Sequence, residues 1–439
     1  MQPPSTQEDP EFAQFLQGLP ADWETRMREL GAFTYAGNIQ SPPELLRAIL
    51  LSCGPAQSLR EVAGTLTLRA ERSTAQAVWK RLHRWTPFLI TLLKQMVALE
   101  ELPALPQHRR FLSCDGTTVE CPGATSADYR LHLTIHLVNL PFHEVLLGNT
   151  KQGESLKNDH LHAGDVAVVD RGYGSYAGIL DTVCPRQADV IVRWNHQLPL
   201  YEPQENSRAL DFCAKLKSQQ PGTIRSFSVI VKYAKTSKKK DKRELGGLLH
   251  VYRMTAKEAN AASRKVRRTH QKKQRKLSEK TRFLRQVVCV FPSLSSAVLS
   301  GETVLALYRC RWHIARAIKR MQSLINLNKL RAHRGSPRAE VSLDGKVLYL
   351  LLVEQDMRST VGHAWGSLDG ERAGTSWRLY TLWKARLDAI LIAQWAWRLA
   401  AVPACCHVLM ERPRQRKLQH LPRRVVELRY TLNILSQAA

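Results

Sequence analysis

Residues 110–193 carry the pattern that most restricts the fold. Three strand-like runs follow one another at 110–119, 129–139 and 143–150, with turns at Pro122-Gly123 and Pro141. In the middle run Leu131, Leu133, Ile135 and Leu137 alternate with His132, Thr134 and His136, giving one apolar face and one polar face. Gly164-Asp165 then leads into a short apolar run, 166–169, followed by a helix at about 175–184 and a strand at 189–193. Three strands in hairpin succession, then a helix between two more strands, predict an α/β fold around a mixed sheet.

The flanking regions read differently. Residues 1–105 are helical, with an apolar stripe over 43–50. Ser58 followed three residues later by Glu61 makes a capping box, and 73–82 forms a second short helix with a basic face. Those two helices and the turn at 64–72 fit a helix-turn-helix DNA reader or an ordinary helical layer. Residues 195–300 read as an inserted segment with strands at 226–233 and 248–254, and 256–285 lacks helix breakers, which predicts one long basic helix. Residues 301–330, 344–354 and 377–402 are helical, the last rich in tryptophan, and the tail 412–429 is basic.

Charge narrows the partner. From 232 to 285 there are 20 Lys or Arg against 4 Asp or Glu, a net of +16 out of +27 for the whole chain. Such a density points to phosphate contact, hence double-stranded DNA, rather than to a solvated face. No apolar run is long enough to span a membrane. The polar, then acidic start is wrong for a signal peptide. Nine cysteines without a CxxC fit a reducing cytoplasm, near the bacterial nucleoid if DNA is the partner.

Two aspartates stand on or at the end of apolar strands: Asp115 in Ser113-Cys114-Asp115-Gly116-Thr117, and Asp170 in Val169-Asp170-Arg171-Gly172-Tyr173. A carboxylate there is costly unless paired or holding a cation. Carboxylate oxygens suit Mg²⁺ or Mn²⁺. Two such ions roughly 3.5–4 Å apart stabilise the attacking and leaving oxygens of a phosphoryl displacement. His160 and His162 invite a metal reading too, but lack a second ligand cluster. Trp194 suits stacking on an unpaired base or burial.

One helix, read from 305 to 327, bears on this pair. At 100° per residue, Tyr308, Arg311, Ala315, Lys319 and Gln322 fall within an arc of about 80°. Leu307, Ile314, Ile318, Met321 and Ile325 fall on the neighbouring, core-facing arc. Arg311 and Lys319 are suited to hold phosphates. Ala315 sits centrally among them, where a carboxylate would complete a metal site.

These blocks together resemble the DDE transposases of the insertion-sequence-four (IS4) family, the hairpin-forming cut-and-paste group. The matching pieces are the Asp-Gly-Thr strand at Asp115, the Asp-Arg-Gly-Tyr turn at Asp170, and a Tyr-x₂-Arg-x₃-Glu-x₆-Lys signature. That signature reads Tyr308, Arg311, Ala315 and Gln322 in this chain. Gly153-Glu154-Ser155 and Val192-Arg193 also resemble family positions. The resemblance implies an RNase H-like core in two parts, 106–194 and 301–360, interrupted by a mostly β insertion domain at 195–300. A helical DNA-binding region at 1–105 and a helical C-terminal region at 361–439 flank it. It implies two Mg²⁺ or Mn²⁺ ions on Asp115 and Asp170, and DNA contacts from Tyr308, Arg311 and Arg193. It also implies a homodimer that pairs transposon ends.

Two positions depart from the pattern. Lys319, one turn before Gln322, can supply the charge lost there. Ala315 in place of glutamate removes a metal ligand. The expectation is a transposase that binds terminal inverted repeats for metal-dependent hydrolysis and strand transfer, but is deficient in cleavage. The alternatives are an inactive end-binding repressor or architectural protein, and a two-metal nuclease without strand transfer.

Overall fold

The computed structural model describes residues 9–34, 39, 41–69, 74–82, 84–99, 109–137, 142–149, 153–203, 209–233, 241–272, 278–366 and 376–392. Among these, helices α1 (Pro10–Leu16), α2 (Trp23–Glu29), α3 (Pro42–Cys53), α4 (Leu59–Arg69), α5 (Ala75–Leu82) and α6 (Trp85–Leu99) come first. Strands β1 (Arg110–Val119), β2 (Tyr129–His136), β3 (Phe142–Asn149) and β4 (Asp165–Val169) follow, then α7 (Tyr176–Val183) and β5 (Asp189–Arg193). The middle of the chain gives α8 (Phe212–Lys217), β6 (Ile224–Val231), β7 (Leu245–Arg253), α9 (Ala256–Lys272), α10 (Glu279–Leu284) and β8 (Val287–Pro292). The chain continues through α11 (Gly301–Cys310), α12 (Trp312–Ile325), α13 (Pro337–Gly366) and α14 (Ser376–Ile392). The tail and Trp395 and Trp397 lie outside the described residues.

Local chemistry sets several boundaries. The capping box before α4 closes as read: Glu61 N–H donates to Ser58 Oγ, and Ser58 N–H donates to Glu61 Oε2. Ser41, Ser175, Ser278 and Ser300 cap α3, α7, α10 and α11 in the same manner, each accepting a backbone N–H from the first turn.

The strands form one eight-stranded sheet in the order β3-β2-β1-β4-β5-β8-β7-β6. Strands β1, β4 and β5 run parallel, and the remaining pairs are antiparallel. Arg110 pairs with the fully buried Asp165 at 2.6 Å and ties the starts of β1 and β4. Alternation then sorts the side chains. Leu112, Cys114, Ala167, Val169, Val190 and Val192 enter a core with Ile179 of α7 and Leu216 of α8. Phe111, Val166, Val168 and Ile191 enter the opposite core beneath α11. Val119, Leu131, Leu133 and Ile135 pack there too, under α12 and the N-terminal and C-terminal helices.

Two readings are corrected. Within 195–300, β8 pairs with both β5 and β7 and so extends the central sheet by β6 and β7. Among its described residues it holds three helices beside its three strands, so it is not mostly β. The long basic helix over 256–285 is two helices, with 273–277 outside the described residues. The polar face of β2 is packed: His132, Thr134 and His136 are all buried.

The N-terminal helices pack on α13 and α14 around a large shared core. The buried Arg47 of α3 donates to the carbonyl of Ile390 at 2.8 Å and to Asp9 Oδ2 at 3.1 Å, tying α14 and the start of α1 to α3. On α5, Val78 is buried while Lys80 and the 43%-exposed Trp79 face outward. No helix of the described residues is long and apolar enough to cross a membrane.

Candidate active site

The period-2 alternation that builds the core also places the acids. Asp115 shares a face of β1 with Phe111 and Val119, and Asp170 continues the face of Val166 and Val168 off the end of β4. Arg193, at the end of β5, takes the parity of Ile191 and so the same face. Three neighbouring parallel strands thus deliver two carboxylates and a guanidinium to the side covered by α11 and α12.

Glycines leave room for the carboxylates. The Gly116 N–H donates to Asp115 Oδ1 at 2.9 Å, and the Gly172 N–H donates to Asp170 Oδ1 at 2.6 Å. A Cβ at Gly172 would overlap Glu154 Oε2 and lie 3.1 Å from Asp170 Oδ1. A side chain there would push the Glu154 carboxylate away from its present position beside Asp170. Glu154 also flanks Gly116, and it pairs loosely with Arg130 at 3.7 Å. Burial raises the pKa of Asp115, with the negative charge of Asp170 adding, against the Gly116 N–H and Arg311. Burial raises that of Glu154 as well, followed by Asp170 and Asp115. Three mutually repelling carboxylates therefore share this corner. Sequence reasoning gave Glu154 no firm place, since it lies on a connection without periodicity.

The expected single helix over 305–327 is broken. It divides at Arg311, where the N–H of Arg311 turns back to the Tyr308 carbonyl at 3.2 Å and that of Ile314 to the Arg311 carbonyl at 3.3 Å. The apolar stripe runs on through the break, so periodicity does not reveal it. The cause is tertiary: α11 packs over β4, β5 and β8, whereas α12 packs over β1 and β2. The core-facing set is as read, with Leu307, Ile314, Ile318, Met321 and Ile325 all buried.

The break turns Arg311 inward. Its Nη1 lies 3.6 Å from Asp115 Oδ2, and its guanidinium stands 5.9 Å from the Tyr308 ring centroid. Tyr308 itself is 7% exposed and belongs to the core under α11. About three turns beyond Arg311, Gln322 donates to Thr117 Oγ1 at 2.7 Å, so its amide serves the α12–β1 contact. Ala315 is half-buried on the same face, between Arg311 over Asp115 and Gln322 over Thr117. Lys319 is exposed. Trp194 takes the buried alternative: it is 2% exposed, its Nε1 donates to the Leu198 carbonyl, and no ring face remains for a base.

A cationic group borders Asp170. Burial lowers the pKa of Arg171, with Arg193 and Arg285 next in effect. Burial also lowers that of His196, reinforced by Arg171, Arg285 and Lys280. Arg285 Nε is buried without a hydrogen-bond partner. Like charges gathered this closely suit the phosphates of a nucleic acid. Arg285 escaped the sequence reading because 91 residues lie between it and Arg193, and Arg171 because nothing local marks it apart from its place beside Asp170.

Among the described residues no three His, Cys, Asp or Glu side chains close into a ready-made metal cage. The donor chemistry still fits a divalent ion. Asp115 and Asp170 present hard oxygens on one face, and the burial and mutual repulsion that raise Asp115 and Glu154 are offset by a bound cation. Such ions keep several water or phosphate oxygens, so an incomplete protein shell is compatible with binding.

Comparison with known proteins agrees with this geometry. Residues 106–341 match the family described as the transposase DDE domain. The putative transposase InsL for insertion sequence element IS186A of Escherichia coli K12 is 27% identical over 318 residues, covering 72% of this chain and 85% of that protein. The transposase for insertion sequence element IS421 of Escherichia coli is 27% identical over 319 residues, with the same coverage of 72% and 85%.

Proposed function

This chain belongs to the DDE transposases, of the IS4 type, and from that premise we propose that it grips the terminal inverted repeats of an insertion sequence with its cutting chemistry disabled at Ala315. The observation that supports this reading is the position of Ala315 on α12. It lies one turn from the arginine facing Asp115, on the face that packs against β1. A glutamate there would extend toward the two aspartates. Alanine has no oxygen to offer, and Arg311 faces Asp115 instead.

The order β3-β2-β1-β4-β5 with β1, β4 and β5 parallel supports an RNase H-like core. Asp115 and Asp170 would hold the Mg²⁺ or Mn²⁺ ions, two in an active site with all three carboxylates. When bound, such ions supply Lewis-acid stabilisation of the attacking and leaving oxygens of a phosphodiester. Arg171, Arg193 and Arg285 hold phosphates beside Asp170, and Arg311 holds the Asp115 carboxylate in place. The exposed Lys319 and the basic α9 extend this grip along the duplex. Two copies pairing two ends would complete the assembly.

A second reading is favoured by Glu154, whose carboxylate reaches the corner of Asp115 and Asp170. If it serves as the third acid, the chain cuts despite Ala315.

Binding and cleavage of labelled end DNA test both readings. The proposal expects preference for duplex carrying an inverted repeat over scrambled duplex, binding that falls steeply with salt, and no Mg²⁺-dependent nicking. Equal binding to both duplexes overturns end recognition. Nicking that is lost in Glu154→Gln establishes the second reading, and nicking of any duplex without joining indicates a nuclease.

A further inference from the structure

A cavity of about 360 Å³ opens between the start of α4, the loop after α12 and one stripe of α13. It lies at the far end of α12 from Arg311, roughly 20 Å along the helix at 1.5 Å per residue. Lys329, Arg331, Arg338 and Lys346 line it, and no Asp or Glu does. Arg338, Ser342 and Lys346 recur every four residues, so a single face of α13 supplies half of that charge. Arg331 spends one N–H on the Ala56 carbonyl at 2.6 Å. The nearby Glu61 is turned into the capping box of α4.

Lys346 is the unusual member. It is 4% exposed, and its ammonium donates to the carbonyls of Asn326 at 2.8 Å and Lys329 at 2.9 Å. Those bonds use two of its three N–H groups. No carboxylate among the described residues pairs with it. Burial, with the charge of Arg331 adding, lowers its pKa to about 8. A buried cation without an opposite charge is costly, and an anion entering the cavity would compensate it. The volume exceeds what a bare ion needs and lies at the small end of ligand pockets. Its walls also carry Leu59, Leu330 and Val341, apolar surface that a sugar and base can cover.

We infer that this cavity seats one phosphodiester of bound DNA with an adjoining nucleoside, clamped between the N-terminal helices and the core. The phosphate meets Arg331, Arg338 and the free N–H of Lys346, and the nucleoside lies on the apolar wall. This assignment rests on the reading of the chain as a DNA binder, but it concerns a site distinct from the aspartates.

Two measurements on the full chain test it. Calorimetric titration with the phosphorylated dinucleotide pTpT should show binding that weakens by about tenfold in Arg331→Gln/Arg338→Gln, the loss of charged hydrogen bonds. Lys346 is left intact because it also holds the end of α12. In parallel, the salt slope for end DNA should fall by about one unit in the double variant, as for one lost phosphate contact. Absent pTpT binding, or pTpT binding indifferent to the double substitution, overturns the proposal. So does dTMP binding as tightly as pTpT with an unchanged salt slope, which would make this a free-nucleotide site. Wild-type chain that binds pTpT yet shows no preference for end DNA sinks the proposed end recognition and leaves the cavity standing.

Discussion

Replacing Arg311 with methionine isolates the contact at the centre of the candidate site. Arg311 Nη1 stands 3.6 Å from Asp115 Oδ2, with side chains 13% and 21% exposed. At an effective dielectric of about 20, Coulomb attraction at that separation is roughly 4–5 kcal/mol. Water reaching the exposed fifth of Asp115 screens part of it, which leaves a coupling of about 2 kcal/mol. The pH dependence has a definite sign. Asp115 carries a folded pKa raised above 3.8, so between 3.8 and that raised value the native state holds more protons than the unfolded chain. Stability therefore falls as pH rises through the window. Loss of Arg311 pushes the folded pKa higher and widens the window. Urea midpoints of the wild type, Arg311→Met, Asp115→Asn and the double variant measure this. The arginine substitution should cost about 2 kcal/mol near neutrality, clearly less in acid, and little in the Asp115→Asn background. An equal cost in both backgrounds, or one indifferent to pH, would refute the pairing.

Two further outcomes follow from the same contacts. A Cβ at Gly54 would overlap the ring of the fully buried Tyr349, whose hydroxyl donates to Asp388 Oδ1 at 2.6 Å, so the ring has nowhere to move. Gly54→Ala should lower stability by about 1–3 kcal/mol in urea unfolding, whereas a neutral result would mean that α3 and α13 slide apart freely. Mn²⁺ binding, followed by water-proton relaxation, should tighten as pH rises through the raised carboxylate range of Asp115 and Glu154, since the ion displaces their protons. A flat profile would show that neither carboxylate meets the ion.

The sequence was most informative where one physical rule governs a stretch by itself. Strands β1 and β5 begin and end where alternation and flanking polar residues place them, and Ser58 with Glu61 caps α4 as their spacing requires. The shared face of Asp115 and Asp170 also follows from period-2 geometry once the strands are parallel neighbours. What escaped depended on distant partners. Strand β8 is a short apolar run whose role appears only through pairing with β5 and β7. The break at Arg311 is imposed by two different parts of the sheet, without any helix breaker. Trp194, open to stacking or burial from sequence alone, is settled as buried by Phe291 far along the chain. Glu154 reaches the aspartates through a loop and a notch at Gly172, which neither propensity nor spacing encodes.

The measurement that bears most directly on the account is restoration of the acid. Ala315→Glu should produce Mg²⁺-dependent cleavage of labelled end DNA that the unaltered chain does not perform, and adding Asp115→Ala should abolish it. Tight, end-specific binding without cleavage in Ala315→Glu, or equal cleavage by the unaltered chain, would contradict the claim that a missing carboxylate at 315 holds this transposase silent.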